Sequence, residues 1–234
     1  MKKVILIIII LSTYLGLAGQ KAIIDSNDGN SALGASIAIN TLSSNNFRAS
    51  DLKYKDVKGI PYLEKEKLIG YVVMMDDQKT EEVPLQYDIY SNEFFYIDKS
   101  GNELIIDLKL VKEIVMRGKE ESYLFKRINP QKPHKFYEVL YESDDLDIYN
   151  EMGINFFEGK EQGIAKIDPR FSRDDSYYTY KKGTDPKKLK LKKKNVYKLF
   201  SKEEQQQIDT IIKDQKIKLK KSKDFKRLFT AMKE

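Results

Sequence analysis

Along residues 83–90 apolar and polar side chains alternate: Val83, Leu85, Tyr87 and Ile89 fall on one face, Pro84, Gln86, Asp88 and Tyr90 on the other. A period of two over this length predicts a strand with one face on a core. Residues 94–97 and 103–107 flank Asp98-Lys99-Ser100-Gly101-Asn102, whose Ser-Gly-Asn cluster tolerates positive φ, so the two segments read as a hairpin. Further strands read at 71–75, 111–117, 122–127, 135–142 and 146–149, and Tyr177-Tyr178-Thr179-Tyr180 reads as the strand that closes the sheet. Within 135–142, Tyr137, Val139 and Tyr141 are expected on one face and Glu138 and Glu142 on the other. Short strands with regular turn signals predict an antiparallel β-meander of about 8 strands, a sandwich or a partly closed barrel, rather than βαβ units. Gly153, Gly159, Gly163 and Pro169 mark residues 150–175 as a long loop region.

After residue 182 the period changes. Ser201 followed by Glu204 fits a capping box, with Ile208, Ile211 and Ile212 on one helical face behind it. Ser222 reads as the cap of a last helix in which Phe225, Leu228, Phe229 and Met232 recur at i, i+3, i+4 and i+7. The fold class is therefore α+β, a β-meander followed by C-terminal helices.

The first residues add a location. Lys2 and Lys3 precede an apolar run over 4–11, and the small residues Gly16, Ala18 and Gly19 follow, as in a secretory signal peptide. The chain then divides into a signal peptide (1–18), a flexible Ser-, Asn- and Gly-rich leader (19–50), a β-rich domain (51–182) and a basic helical region (183–234). Cleavage after Ala18 or Gly19 leaves no segment expected to cross a membrane as a helix, and places the protein in the periplasm or outside the cell.

Charge is distributed unevenly. Residues 181–234 carry 19 Lys and Arg against 7 Asp and Glu, a net of +12, whereas residues 19–180 carry 21 against 29, a net of −8. The run Lys187, Lys188, Lys190, Lys192, Lys193 and Lys194 reads first as a solvated, lysine-covered linker and helix face, and otherwise as a contact for an anionic membrane surface or an acidic protein partner of the envelope. Nucleic acid is the weaker fit, because Arg is absent from residues 181–194 and export removes the chain from the cell's DNA.

Candidate chemistry is sparse. Cys is absent, which excludes disulfides, thiolate metal sites and a Cys nucleophile. The only histidine, His134, stands among prolines and lysines, too little for a zinc site or a Ser-His-Asp assembly. Ser143-Asp144-Asp145-Leu146-Asp147 groups three carboxylates but lacks the EF-hand spacing, so an acidic hairpin turn is the expectation. No metal, no cofactor and no catalytic residue is assigned, and the expected role is that of a non-enzymatic binding protein. The alternative is a carrier of a small apolar molecule or lipid, lined by Tyr87, Phe94, Tyr96 and Tyr137.

The signal peptide with Gln20 as a possible new terminus, Gly59-Ile60-Pro61-Tyr62-Leu63, the strand Leu85-Gln86-Tyr87-Asp88-Ile89-Tyr90 and the lysine-rich C-terminal helices carry a family likeness over residues 52–234. In these the chain resembles an uncharacterised family of small secreted β-rich proteins of Bacteroidetes-type bacteria, in which Arg and Asn often stand at the positions of Gln86 and Asp88. The resemblance implies export and a β-rich body, and brings no catalytic residue.

Overall fold

The computed structural model describes residues 40–41, 57–119, 121–128, 135–162, 165–181 and 183–233. The expected signal peptide, the leader apart from Asn40–Thr41, His134 and Gly163 lie outside the described residues. The strands are β1 (Asn40–Thr41), β2 (Leu68–Met74), β3 (Val83–Asp88), β4 (Glu93–Ile97), β5 (Glu103–Ile105), β6 (Val111–Arg117), β7 (Ser122–Lys126), β8 (Tyr137–Glu142) and β9 (Asp147–Glu151), followed by β10 (Ile154–Phe157), β11 (Lys160–Gln162), β12 (Ala165–Ile167), β13 (Arg170–Arg173), β14 (Ser176–Tyr180) and β15 (Lys187–Leu189). Three helices follow, α1 (Lys193–Tyr197), α2 (Lys202–Asp214) and α3 (Ser222–Ala231).

Eleven strands form one antiparallel sheet in the order β1-β5-β4-β3-β2-β6-β7-β8-β9-β14-β15, so the α+β meander with C-terminal helices is the architecture. The sheet stays open: β14 pairs with β9 and β15 and closes nothing. The hairpin between β4 and β5 turns where Gly101 takes φ +85°, and Asp98 accepts from Ser100 N at 2.9 Å and Asn102 N at 2.7 Å inside the turn. After β5 the chain crosses to the far side of β2 through a single 3₁₀ turn, Leu108–Leu110. Arg127 fastens that turn by donating to the carbonyls of Leu108 at 2.9 Å and Lys109 at 3.1 Å. Glycine is required at Gly70, where a Cβ would lie 2.0 Å from the Val115 carbonyl oxygen across the strand pair.

Two differences from the sequence pattern have physical causes. Residues 150–175, read as a loop, instead form two small ribbons, β10 with β13 and β11 with β12, because Phe156 and Phe171 pair across strands too short for a period to emerge. In β8 the register shifts between Val139 and Tyr141, a bulge that turns Tyr141 away from Tyr137 and Val139. Tyr137 and Val139 pack with Tyr149 on one face, whereas Leu140 and Tyr141 join the helices on the other.

The core is divided accordingly. Val72, Leu85, Tyr87, Phe94, Ile114 and Phe125 anchor a cluster under β2–β7. A second cluster joins Leu140, Tyr141, Ile148 and Leu189 of the sheet to Val196, Phe200, Ile208, Phe225, Leu228 and Phe229 of the helical region. The capping box forms: Ser201 Oγ accepts from Glu204 N at 3.2 Å, and Ser201 N donates to Glu204 Oε2 at 2.7 Å. At α3, Ser222 is inside the helix rather than at its cap; Asp224 Oδ2 does the capping, accepting from Lys220 N at 2.8 Å and Lys221 N at 3.2 Å. Among the described residues no helix is long and apolar enough to cross a membrane.

Candidate functional site

The lysine run begins as an edge strand. β15 pairs with β14 through Leu189↔Tyr177, Lys188↔Tyr178 and Lys187↔Thr179, and the bulk of Leu189 goes into the second core. Its flanking side chains therefore point to solvent, and Lys187, Lys188, Lys190, Lys192 and Lys194 are exposed with no ion pair among the described residues. Lys193 differs: its Nζ stands 3.3 Å from Asp209 Oδ1 and 4.7 Å from the centre of the Tyr197 ring, and Tyr197 also donates to Asp209 at 2.5 Å. That triad holds α1 against α2. Half of the described cations of the body, in contrast, form ion pairs, among them Lys58 with Asp168, Lys67 with Glu103, Lys112 with Asp77, Arg117 with Glu82 and Lys135 with Glu151. Lysines on a sheet edge also discourage pairing with further strands, which gives this row a folding role as well.

The aromatic set is split between two places. Tyr87 and Phe94 lie in the first core with ring centroids 4.1 Å apart and planes 5° from parallel, and the Phe125 ring meets both edge-on. Tyr96 belongs to the same cluster, whereas Tyr137 lies on another part of the sheet with Tyr149, edge-on to Tyr178. Burial pushes the hydroxyls of Tyr96 and Tyr137 up to about 12, and that of Tyr87 higher still.

The acidic turn Ser143–Asp147 makes its own hydrogen bonds: Ser143 Oγ donates to the Leu146 carbonyl at 2.9 Å, and Asp147 Oδ2 accepts from Tyr149 at 3.0 Å. Among the described residues no group of three or more His, Cys, Asp or Glu is placed to hold a metal ion.

A second candidate lies between the sheet and α3, on residues that patterning assigns to a solvated face. Glu138, Asn150 and Tyr177 are register neighbours on β8, β9 and β14, and α3 covers this row. Glu138 is consequently only 3% exposed and Asn150 5%, while Glu142 on the far side of the bulge stays in solvent. Lys226 reaches down from α3: its Nζ is 2.6 Å from Glu138 Oε1, 3.1 Å from Glu121 Oε2 and 3.8 Å above the centre of the Tyr123 ring. The Lys226–Glu138 contact is an ion pair by distance but lacks hydrogen-bond alignment. Asn150 Nδ2 donates to Glu138 Oε2 at 3.0 Å, and Tyr123 donates to Glu64 Oε1 at 2.8 Å. Burial first, and this bond second, push the Tyr123 hydroxyl far up. A cavity of about 230 Å³ opens beside these groups. Sequence reasoning missed it because Glu138, Asn150 and Lys226 lie on three separate elements, and only the unusual placement of Glu138 between Tyr137 and Val139 hints at a buried charge.

No protein-family model, no curated protein and no solved structure matches this chain.

Proposed function

We propose that the protein is an exported, non-enzymatic binding protein that docks an acidic protein segment of the cell envelope on the lysine-covered edge formed by β15 and the start of α1. The observation that carries this reading is the clustering of five exposed lysines without carboxylate partners among the described residues, on a molecule in which half of the described body cations form ion pairs. A row of uncompensated ammonium groups attracts an anionic chain over distances of about one Debye length, roughly 8 Å at physiological salt. A protein segment suits it better than a bilayer. The large apolar side chains exposed among the described residues, such as Ile60, Ile69, Met75 and Phe157, all precede residue 181, so the basic region offers no apolar anchor for lipid. The Lys2-Lys3 start and apolar run support export.

The test is binding of the mature chain to a poly-glutamate peptide and to phosphatidylglycerol vesicles, with and without replacement of Lys187, Lys188, Lys190, Lys192 and Lys194 by Gln. Salt-sensitive binding to the peptide that the five-fold variant loses supports the proposal. Preference for vesicles, or peptide binding unaffected by the substitutions, overturns it.

A further inference from the structure

The sheet parts between β7 and β8. The two strands pair only through Phe125↔Glu138 and Lys126↔Tyr137, and the bulge at Val139–Tyr141 then bends β8 away, so Ser122–Leu124 and Val139–Leu140 do not pair with each other. A cleft of about 530 Å³ opens there, bounded on its other side by α3 and the residues just after it. That size falls within the roughly 300–1,000 Å³ of sites for small molecules.

The floor of the cleft is apolar. Val115 and Leu124 are register partners on β6 and β7, both half-buried, and Val139, Leu140 and Ala231 complete the surface. The charged residues that line it are Glu121, Lys226, Arg227 and Lys233. Lys226 is already engaged, with Glu138 at 2.6 Å and Glu121 at 3.1 Å. Arg227 and Lys233 are exposed and have no carboxylate partner among the described residues; Arg227 donates to the Gln215 carbonyl at 3.4 Å. An apolar floor beside two uncompensated cations constrains an occupant at both of its ends. An alkylammonium would meet Arg227 and Lys233 with like charge. A neutral apolar molecule would leave both cations unused, and a small inorganic anion would leave Val115 and Leu124 in water. A carboxylate on a short hydrocarbon body suits both, its oxygens accepting from the guanidinium while its carbon atoms cover the floor. The geometry points to the cleft between β7, β8 and α3 as a binding site for a small amphipathic carboxylate, a short-chain fatty acid or an aromatic acid of similar size. This is independent of the lysine edge.

The test is a titration of the isotopically labelled protein with hexanoate and phenylpropionate, following the methyl groups of Val115, Leu124 and Val139 by NMR. Hexanol, hexylamine and acetate serve as controls that lack the charge, reverse it, or lack the hydrocarbon body. The expected result is a saturable shift of those methyl groups with at least one of the two acids, and a weaker or absent one with each control. Affinity for that acid should fall about tenfold in the double variant Arg227→Gln/Lys233→Gln, the loss of roughly one charge-assisted hydrogen bond. Both substitutions are at exposed positions, so the variant keeps the fold. Hexanol or hexylamine binding as tightly as the acids, acetate shifting the same methyl groups with equal affinity, acid binding that the double variant retains, or no saturable shift with either acid overturns the proposal.

Discussion

The two cores of this protein are built differently. Under β2–β7 the side chains of the strands pack on one another: Tyr87 and Phe94 face each other across the β3–β4 hairpin, and Phe125 of β7 meets both rings edge-on. Under β8, β9, β14 and β15 the sheet meets the helices that follow it in the chain: Tyr141 packs edge-on to Phe200 and at a tilt to Phe229, and the same interface encloses the Glu138–Lys226 pair. The first core is made by strands pairing side by side, the long-range β2–β6 pair among them. The second needs the helices to dock on the sheet, and there the fold buries an ion pair.

Truncation tests that distinction most severely. Phe94→Ala and Phe229→Ala should each cost about 3–5 kcal/mol in chemical denaturation, as large-to-small changes at fully buried aromatic sites do. The difference should appear in local opening. Phe229→Ala should raise amide exchange across α3 and leave β3 and β4 protected, whereas Phe94→Ala should do the reverse; uniform loss of protection in both variants would make the two cores one unit.

Breaking the buried pair comes next. Lys226→Met keeps the aliphatic stem but leaves Glu138 without its cation, at an expected cost of about 3 kcal/mol. Adding Glu138→Gln should restore most of the loss, and simple additivity of the two substitutions would show that the pair does not couple sheet and helix.

The smallest effect concerns α3 alone. The backbone N–H groups of Lys220 and Lys221 hold the Asp224 carboxyl below its ordinary value. A depressed carboxylate contributes stability that is present above its unfolded value, near 4, and is lost as pH falls through the lower folded value. Helix signal should therefore decline modestly in that acidic range in the wild type, and the step should vanish in Asp224→Asn, which cannot titrate; an unchanged profile in the variant would assign the step to other groups.

What the chain's pattern conveyed, and what it could not, follows the same division. The alternation at 83–90, the Ser-Gly-Asn turn and the Ser201–Glu204 box each involve residues within a few positions of one another, and each appears in the structure as an element of the expected kind. The same alternation was a poor guide to exposure. Gln86 and Asp88, on the supposedly polar face of β3, are 9% and 3% exposed, and Asp88 accepts from Tyr90 N and Ser91 N in the following turn. Among the candidate site residues, the lysine run stands in solvent as its composition implies, but its opening strand belongs to the sheet because Leu189 is buried there.

The sequence by itself determined the antiparallel hairpins, the helical stripes and the segregation of charge, since these depend on side-chain period and on turn chemistry within a few residues. Tertiary structure alone decided that β6 crosses to β2, that a bulge at Val139–Tyr141 hands Tyr141 to the helices, and that Glu138, Asn150 and Lys226 share one cavity. These outcomes rest on contacts between residues far apart in the chain, where many polar and apolar positions are equally compatible with the local pattern and only the packed arrangement selects among them.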